Sequence, residues 1–169
     1  LEKHNYLMSK GLYPKWNMIG TLQRKKVKKI VGRVHIIHSV DSIKLANEIS
    51  KESLDDNFIS SVLLQVNLSG EETKQGFSRQ DILRDISEIS GLKGVAVKGL
   101  MTMAPFTDDR YILEKVFSDT YDLFSMIKEL AVFPDMRILS MGMSNDYHLA
   151  IRYGATHIRL GTAIFGERI

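Results

Sequence analysis

Six short apolar segments, each followed by a polar turn and then by a stretch of helical periodicity, run through this chain in strict alternation. The segments read as strands at residues 15–19, 34–39, 61–68, 95–103, 137–141 and 157–160. Strand and helix repeating in this way call for parallel strands joined by right-handed crossovers, since no tight hairpin can connect parallel neighbours. The segment SVLLQVNL is apolar through its middle, as a parallel strand covered on both faces requires. Two architectures fit: an open doubly wound sheet, or six units of a (β/α)8 barrel. No glycine fingerprint follows the first strand, and polar residues gather after every strand. A barrel with a functional rim is therefore the expected fold.

The helices read at residues 1–10, 23–31, 42–51, 81–90, 110–130 and 146–153. Asp41 is the expected cap of the third, whose inward face carries Ile43, Leu45, Ala46 and Ile49. The longest traces a stripe through Ile112, Leu113, Val116, Phe117, Tyr121, Phe124, Ile127 and Leu130. Apolar residues make up 44% of the 169 and charged residues 25%, which suits one globular domain over residues 1–169. Cysteine is absent, so disulfide and thiolate chemistry are excluded and a reducing, cytoplasmic setting is expected. No apolar run reaches the length of a membrane span, so no membrane partner is expected. The chain opens on Leu1 inside what reads as the end of a helix, which leads to the expectation that a segment precedes it.

Charge is concentrated in one place. Arg24, Lys25, Lys26, Lys28 and Lys29 share the face opposite Val27, Ile30 and Val31, and Arg33 follows. Such a run attracts phosphate backbones without specificity, but no aromatic residues interleave with it to stack bases. It reads as a solvated helix face, with no specific nucleic acid as partner. His35 and His38 lie three apart on a strand and point to opposite faces, and His4, His148 and His157 lack partners at ligand spacing. No metal site is expected.

The most informative stretch is residues 138–169, ILSMGMSNDYHLAIRYGATHIRLGTAIFGERI. It holds two strand-to-helix turns, Gly142-Met143-Ser144-Asn145 and Gly161-Thr162-Ala163. Two neighbouring helix N-termini converge free backbone N–H groups and positive dipole ends, which suits a phosphate. Arg159, two residues before the second turn, can donate to an acceptor on the far side of a flat phosphorylated ring. The alternative is two ordinary turns beside a surface arginine.

Four further stretches carry a resemblance. WNMIGTLQRKKVK resembles the W-H-F-I-G-x-L-Q-x-N-K signature of the pyridoxal phosphate homeostasis proteins, single-domain relatives of the alanine racemase N-terminal barrel. IHSVDS, VNLSGEETKQGFS, VKGLMTM and the closing stretch from LSMGMS to GTAIFG match that family in the same order. The resemblance implies a (β/α)8 TIM barrel of the alanine racemase N-terminal type, with strands three to eight present here. It implies pyridoxal 5'-phosphate (PLP) as cofactor at the barrel mouth. Ser144 and the amides of Gly161 and Thr162 are expected on its phosphate, Arg159 on its pyridine nitrogen, and Met143 and Met101 along the pocket. Two positions depart from the signature: Asn17 replaces its histidine, and Lys25 its asparagine. The family's Schiff-base lysine, at the end of its first strand, has no counterpart in this chain, so no residue is assigned as catalytic.

The implied function is PLP binding for homeostasis, with PLP-dependent acceptor enzymes as possible recipients. The rival is a PLP-dependent racemase acting on amino acids. An arginine at the pyridine nitrogen argues against turnover, because it keeps that nitrogen unprotonated and weakens the ring as an electron sink. Lys74, in the loop after the longest strand, is either a solvated loop lysine or an amine able to capture the PLP aldehyde. Six units without closure leave strands 15–19 and 157–160 as open edges, with branched apolar residues exposed on the inner face and self-association as one outcome.

Overall fold

A computed structural model describes residues 2–71 and 75–166. Six parallel strands lie in sequence order: β1 (Asn17–Met18), β2 (Ile36–Val40), β3 (Ser60–Val66), β4 (Val95–Thr102), β5 (Ile138–Met143) and β6 (His157–Arg159). The helices are α1 (Glu2–Ser9), α2 (Ile43–Asp55), α3 (Arg79–Ser90), α4 (Arg110–Glu129), α5 (Tyr147–Arg152) and α6 (Thr162–Phe165). The sheet is strongly curled. In a flat sheet β2 and β5, three strands apart, would stand roughly 14 Å from each other. His38 of β2 nevertheless reaches Ser140 of β5 at 3.1 Å. The result is a partial (β/α)8 barrel.

Alternation along the strands divides the side chains into two layers. Ile37, Val62, Leu64, Leu100, Leu139 and Met141 belong to the main core, which includes Leu45 and Ile49 of α2, Ile82 and Ile89 of α3, and Phe117, Leu123 and Ile127 of α4. Ile36, Leu63, Met101 and Ile138 form a second, smaller cluster inside the curl. All four are buried, contrary to the expectation that an unclosed inner face would expose its branched residues. Curling brings the inner faces of β2 and β5 together, so they cover one another. The register of β3 on β4 slips after Val62, leaving Lys98 with no register partner on β3 and turning Gly99 and Met101 inward.

Several boundaries differ from the sequence reading. Residues 24–29 form a 3-10 helix, with Lys26 N bonded to Gln23 O and Ile30 N to Val27 O, both at 2.8 Å. Ser42, not Asp41, caps α2 and accepts from the Leu45 amide, while the Asp41 carboxylate accepts from the Ser42 hydroxyl at 3.0 Å. On α4 the buried stripe passes through Thr120 and Leu123, whereas Tyr121, Ile112 and Leu130 are exposed. Thr120 can be buried because its hydroxyl donates to the Val116 carbonyl at 2.6 Å. Strand β5 runs two residues beyond its expected end, to Met143.

Strands β1 and β6 are the two edges of the sheet. Among the described residues, no helix is long and apolar enough to cross a membrane.

Candidate functional site

The C-terminal ends of β5 and β6 supply the site. Strand β5 runs through Gly142, whose φ of +92° few side chains adopt; a Cβ there would meet the Ala150 Cβ at 2.7 Å and the Tyr147 Cα at 2.8 Å. Glycine thus lets α5 lie close under the turn. The Asp146 carboxylate, almost wholly buried, accepts from the Met143 amide and fixes that turn. Ser144 then projects toward the second unit. Its Oγ accepts from the Gly161 amide at 3.1 Å and the Ala163 amide at 3.2 Å, at the start of α6. The Thr162 amide makes no hydrogen bond among the described residues. One hydroxyl and two backbone donors therefore meet at one exposed point, with the Thr162 amide between those donors in sequence.

Arg159 lies beneath this rim. Its Nη1 donates to Ser140 Oγ at 2.8 Å and its Nη2 to the Thr102 carbonyl at 2.7 Å. Its Nε is buried and unpartnered. Burial lowers the guanidinium pKa to about 10, with the Asp146 carboxylate working in the opposite sense, so the group stays charged at neutral pH. Ser140 Oγ also lies against His38 Nδ1. Burial, then the Arg159 charge, then His157, push the His38 pKa down from 6.5 to about 4.

That shift carries a stability consequence. Folded His38 stays neutral where the unfolded chain takes up a proton, so stability is full above pH 6.5 and falls as pH drops toward 4. The loss amounts to about 3 kcal/mol at most. His157, lowered by burial and by His35, acts in the same direction. Urea unfolding at pH 7.5 and 4.5 measures the effect, and His38→Asn is expected to remove most of the difference.

A cleft of about 720 Å³ opens over the rim between Met103, Phe106, Met143, Ser144, Gly161 and Thr162. A neighbouring cleft of about 580 Å³ shares Met103, Phe106 and Met143 and extends along Gly20, Thr21 and Gln75. This size suits a small ligand, with an apolar wall and a few converging donors. Of the residues expected in the site, Ser144, Gly161, Thr162 and Met143 line one cleft, whereas Arg159 lines neither and is buried beside Ser140. Met101 does not line either cleft. It is fully buried in the inner cluster, next in sequence to the Thr102 carbonyl that holds Arg159. Asn17 bonds to the Lys15 carbonyl, Lys25 is exposed, and neither lines a cleft. Lys74 lies outside the described residues.

Sequence reasoning assigned no place in the site to Ser140, set His38 aside as a metal-ligand candidate, and named Ala163 only as part of the second turn. A signal existed for two of them: His38 and Ser140 each stand two residues beyond an inner isoleucine, Ile36 and Ile138, and so share its face.

The family model for the N-terminal domain of alanine racemase matches residues 5–169. The chain belongs to that family. Within the alanine racemase N-terminal family its relatives include the pyridoxal phosphate homeostasis protein of Aquifex aeolicus, 39% identical over 169 residues, which cover 99% of this chain and 72% of the relative. The pyridoxal phosphate homeostasis protein of Helicobacter pylori strain J99 is 42% identical over 156 residues, or 90% of this chain and 67% of the relative. Among solved structures, PipY of Synechococcus elongatus with PLP bound superposes with a TM-score of 0.87 at 31% identity, covering 98% of this chain and 76% of PipY. Alanine racemase of Clostridium difficile shares the fold at a TM-score of 0.76 and 16% identity, over 99% of this chain and 43% of the enzyme.

Proposed function

We propose that this chain binds PLP at the C-terminal rim of its barrel and serves PLP homeostasis by holding and releasing the cofactor. The observation that carries the reading is the pairing of a buried Arg159, which keeps one unspent N–H at Nε, with the Ser144-centred amides that begin two residues further along the chain. A phosphorylated heteroaromatic ring needs those two features: donors for a dianionic phosphate and one donor for a ring nitrogen. The PLP-bound neighbour PipY and the homeostasis proteins among the relatives support the choice of PLP.

When bound, PLP supplies an electrophilic aldehyde and an electron-accepting ring. In this reading Ser144 and the amides of Gly161, Thr162 and Ala163 hold its phosphate, and Met143 covers the ring from the rim. Arg159 donates to the pyridine nitrogen, and Met101 stiffens the strand behind it. A charged donor at that nitrogen disfavours its protonation, which suits storage and delivery to PLP-dependent acceptor enzymes better than amino-acid racemisation. No lysine lines either cleft among the described residues, so binding by these residues is reversible. The cysteine-free composition is compatible with a cytoplasmic setting.

Spectrophotometric titration with PLP tests the reading. Ser144→Ala is expected to weaken binding by about 1–2 kcal/mol, or roughly 5- to 30-fold, as one charge-assisted hydrogen bond goes. Unchanged affinity would place the phosphate elsewhere. Turnover of alanine enantiomers by the PLP-loaded chain would contradict the storage role. The free edges of β1 and β6 suit pairing with a second copy, so light scattering is expected to report a species above the monomer mass. A monomer with a cooperative thermal transition would show that the curl alone protects them.

A further inference from the structure

The polar groups inside the curl are too well connected to be incidental. Arg159 can only donate, so at 2.8 Å Ser140 Oγ accepts from its Nη1. The single Ser140 hydroxyl proton then needs an acceptor, and His38 Nδ1 stands 3.1 Å away. Ser140 is wholly buried, His38 is 4% exposed and Arg159 7% exposed, so water does not readily substitute for any of these partners. Were Nδ1 to carry the imidazole proton instead, Ser140 Oγ would receive two donors and its own proton would lose this acceptor. His38 Nε2 has no partner in either tautomer, so the Ser140 proton decides between them. Leaving buried groups unmade is what such interiors avoid.

We propose that His38 and Ser140 are positioning residues for Arg159: a one-directional relay, Arg159 to Ser140 to His38, fixes the guanidinium plane and leaves Nε as its one donor nitrogen still unspent. The proposal rests on the reading that Arg159 meets the pyridine nitrogen of PLP. The Thr102 carbonyl holds Nη2 and Ser140 holds Nη1, so rotation about the end of the side chain is blocked while both contacts last. Ser140 alone would be a loose stop, because its hydroxyl rotates. His38 sets that rotor by accepting its proton, and a chain of hydrogen bonds running one way strengthens each member. The groups facing His38 fit this role. Burial first, and then the Arg159 and His157 charges, disfavour a positive charge there, which keeps the imidazole neutral and able to accept.

Four variants and one measurement on the unsubstituted chain test the relay. PLP affinity and the absorption spectrum of bound PLP are compared for Arg159→Lys, Ser140→Ala, His38→Leu and His38→Asn. Ser140→Ala and His38→Leu are expected to weaken binding about fivefold to tenfold. Both should move the spectrum in the direction that Arg159→Lys moves it. His38→Asn, whose Oδ1 can stand near the former Nδ1, is expected to recover both. Nitrogen chemical shifts of His38 in the cofactor-free chain at pH 7 should show a neutral ring protonated at Nε2. Wild-type affinity and spectrum in His38→Leu and Ser140→Ala, beside a clear loss in Arg159→Lys, would overturn the positioning role and leave the PLP reading standing. A silent Arg159→Lys would overturn the PLP reading and the proposal together. Should His38→Leu or Ser140→Ala fail to give a cooperative melt, the tautomer decides: a ring protonated at Nδ1 sinks the relay.

Discussion

Replacing Arg159 by methionine is expected to weaken PLP binding about 30- to 100-fold. Methionine keeps an unbranched, polarisable chain of similar reach, so the inner packing changes little. What goes is the positive charge and the whole fork of donors. A hydrogen bond to a charged group contributes about 1.5–3 kcal/mol. The loss also strips Ser140 Oγ and the Thr102 carbonyl of their Arg159 donor. Arg159→Lys keeps the charge without the planar fork and is expected to fall between, with a changed absorption spectrum of the bound ring. Fluorescence titration of PLP against both variants checks the order. Equal affinities for methionine, lysine and arginine would remove this residue from the site.

The second large effect belongs to the fold. Gly99→Ala is expected to destabilise the chain by at least about 3 kcal/mol, lowering the thermal midpoint by roughly 10 °C. A Cβ at Gly99 would lie 1.7 Å from the Ile138 carbonyl oxygen, and that oxygen belongs to backbone and cannot rotate away. The position follows the register slip at Lys98, which bonds to Asp135 through its ammonium group at 2.6 Å and accepts the Arg137 amide at 2.9 Å through its carbonyl. Moving β5 off β4 would also shift Ser140 and with it the support under Arg159. PLP affinity should therefore fall along with the melting temperature. Differential scanning calorimetry measures the first effect; a midpoint within 2–3 °C of the parent would show that the strands separate more easily than their packing implies.

Much of this was legible in the amino-acid order because it rests on local rules. Strand-and-helix alternation is enough to demand a parallel sheet, and the partial barrel follows with its strands in sequence order. The turns at Ser144 and Gly161 announce themselves by small residues between an apolar strand and a helix start, and they do meet through Ser144 Oγ. Arg159 is the one buried residue of β6, whose His157 and Ile158 are exposed. What local rules cannot show is curvature. The His38–Ser140 contact joins residues 102 apart, and only the curl brings β2 and β5 within reach. Read locally, His38 and Ser140 each share a strand face with an apolar neighbour, but nothing in either stretch pairs one with the other. The same curl buries Ile36 and Ile138, which an uncurled count of strands leaves exposed. The buried face of α4 differs for another reason. Thr120 replaces Tyr121 in the core because a threonine can satisfy its hydroxyl on its own helix, whereas periodicity counts it as polar.

The most direct measurement is equilibrium dialysis of PLP against this chain, repeated with inorganic phosphate as competitor and with Ser144→Ala and Arg159→Met. The expected result is one saturable PLP per chain, displaced by phosphate and weakened by each substitution through its own end of the cofactor. Absence of saturable binding, or binding indifferent to phosphate and to both substitutions, would contradict a PLP site built on Ser144, Gly161, Thr162 and Arg159.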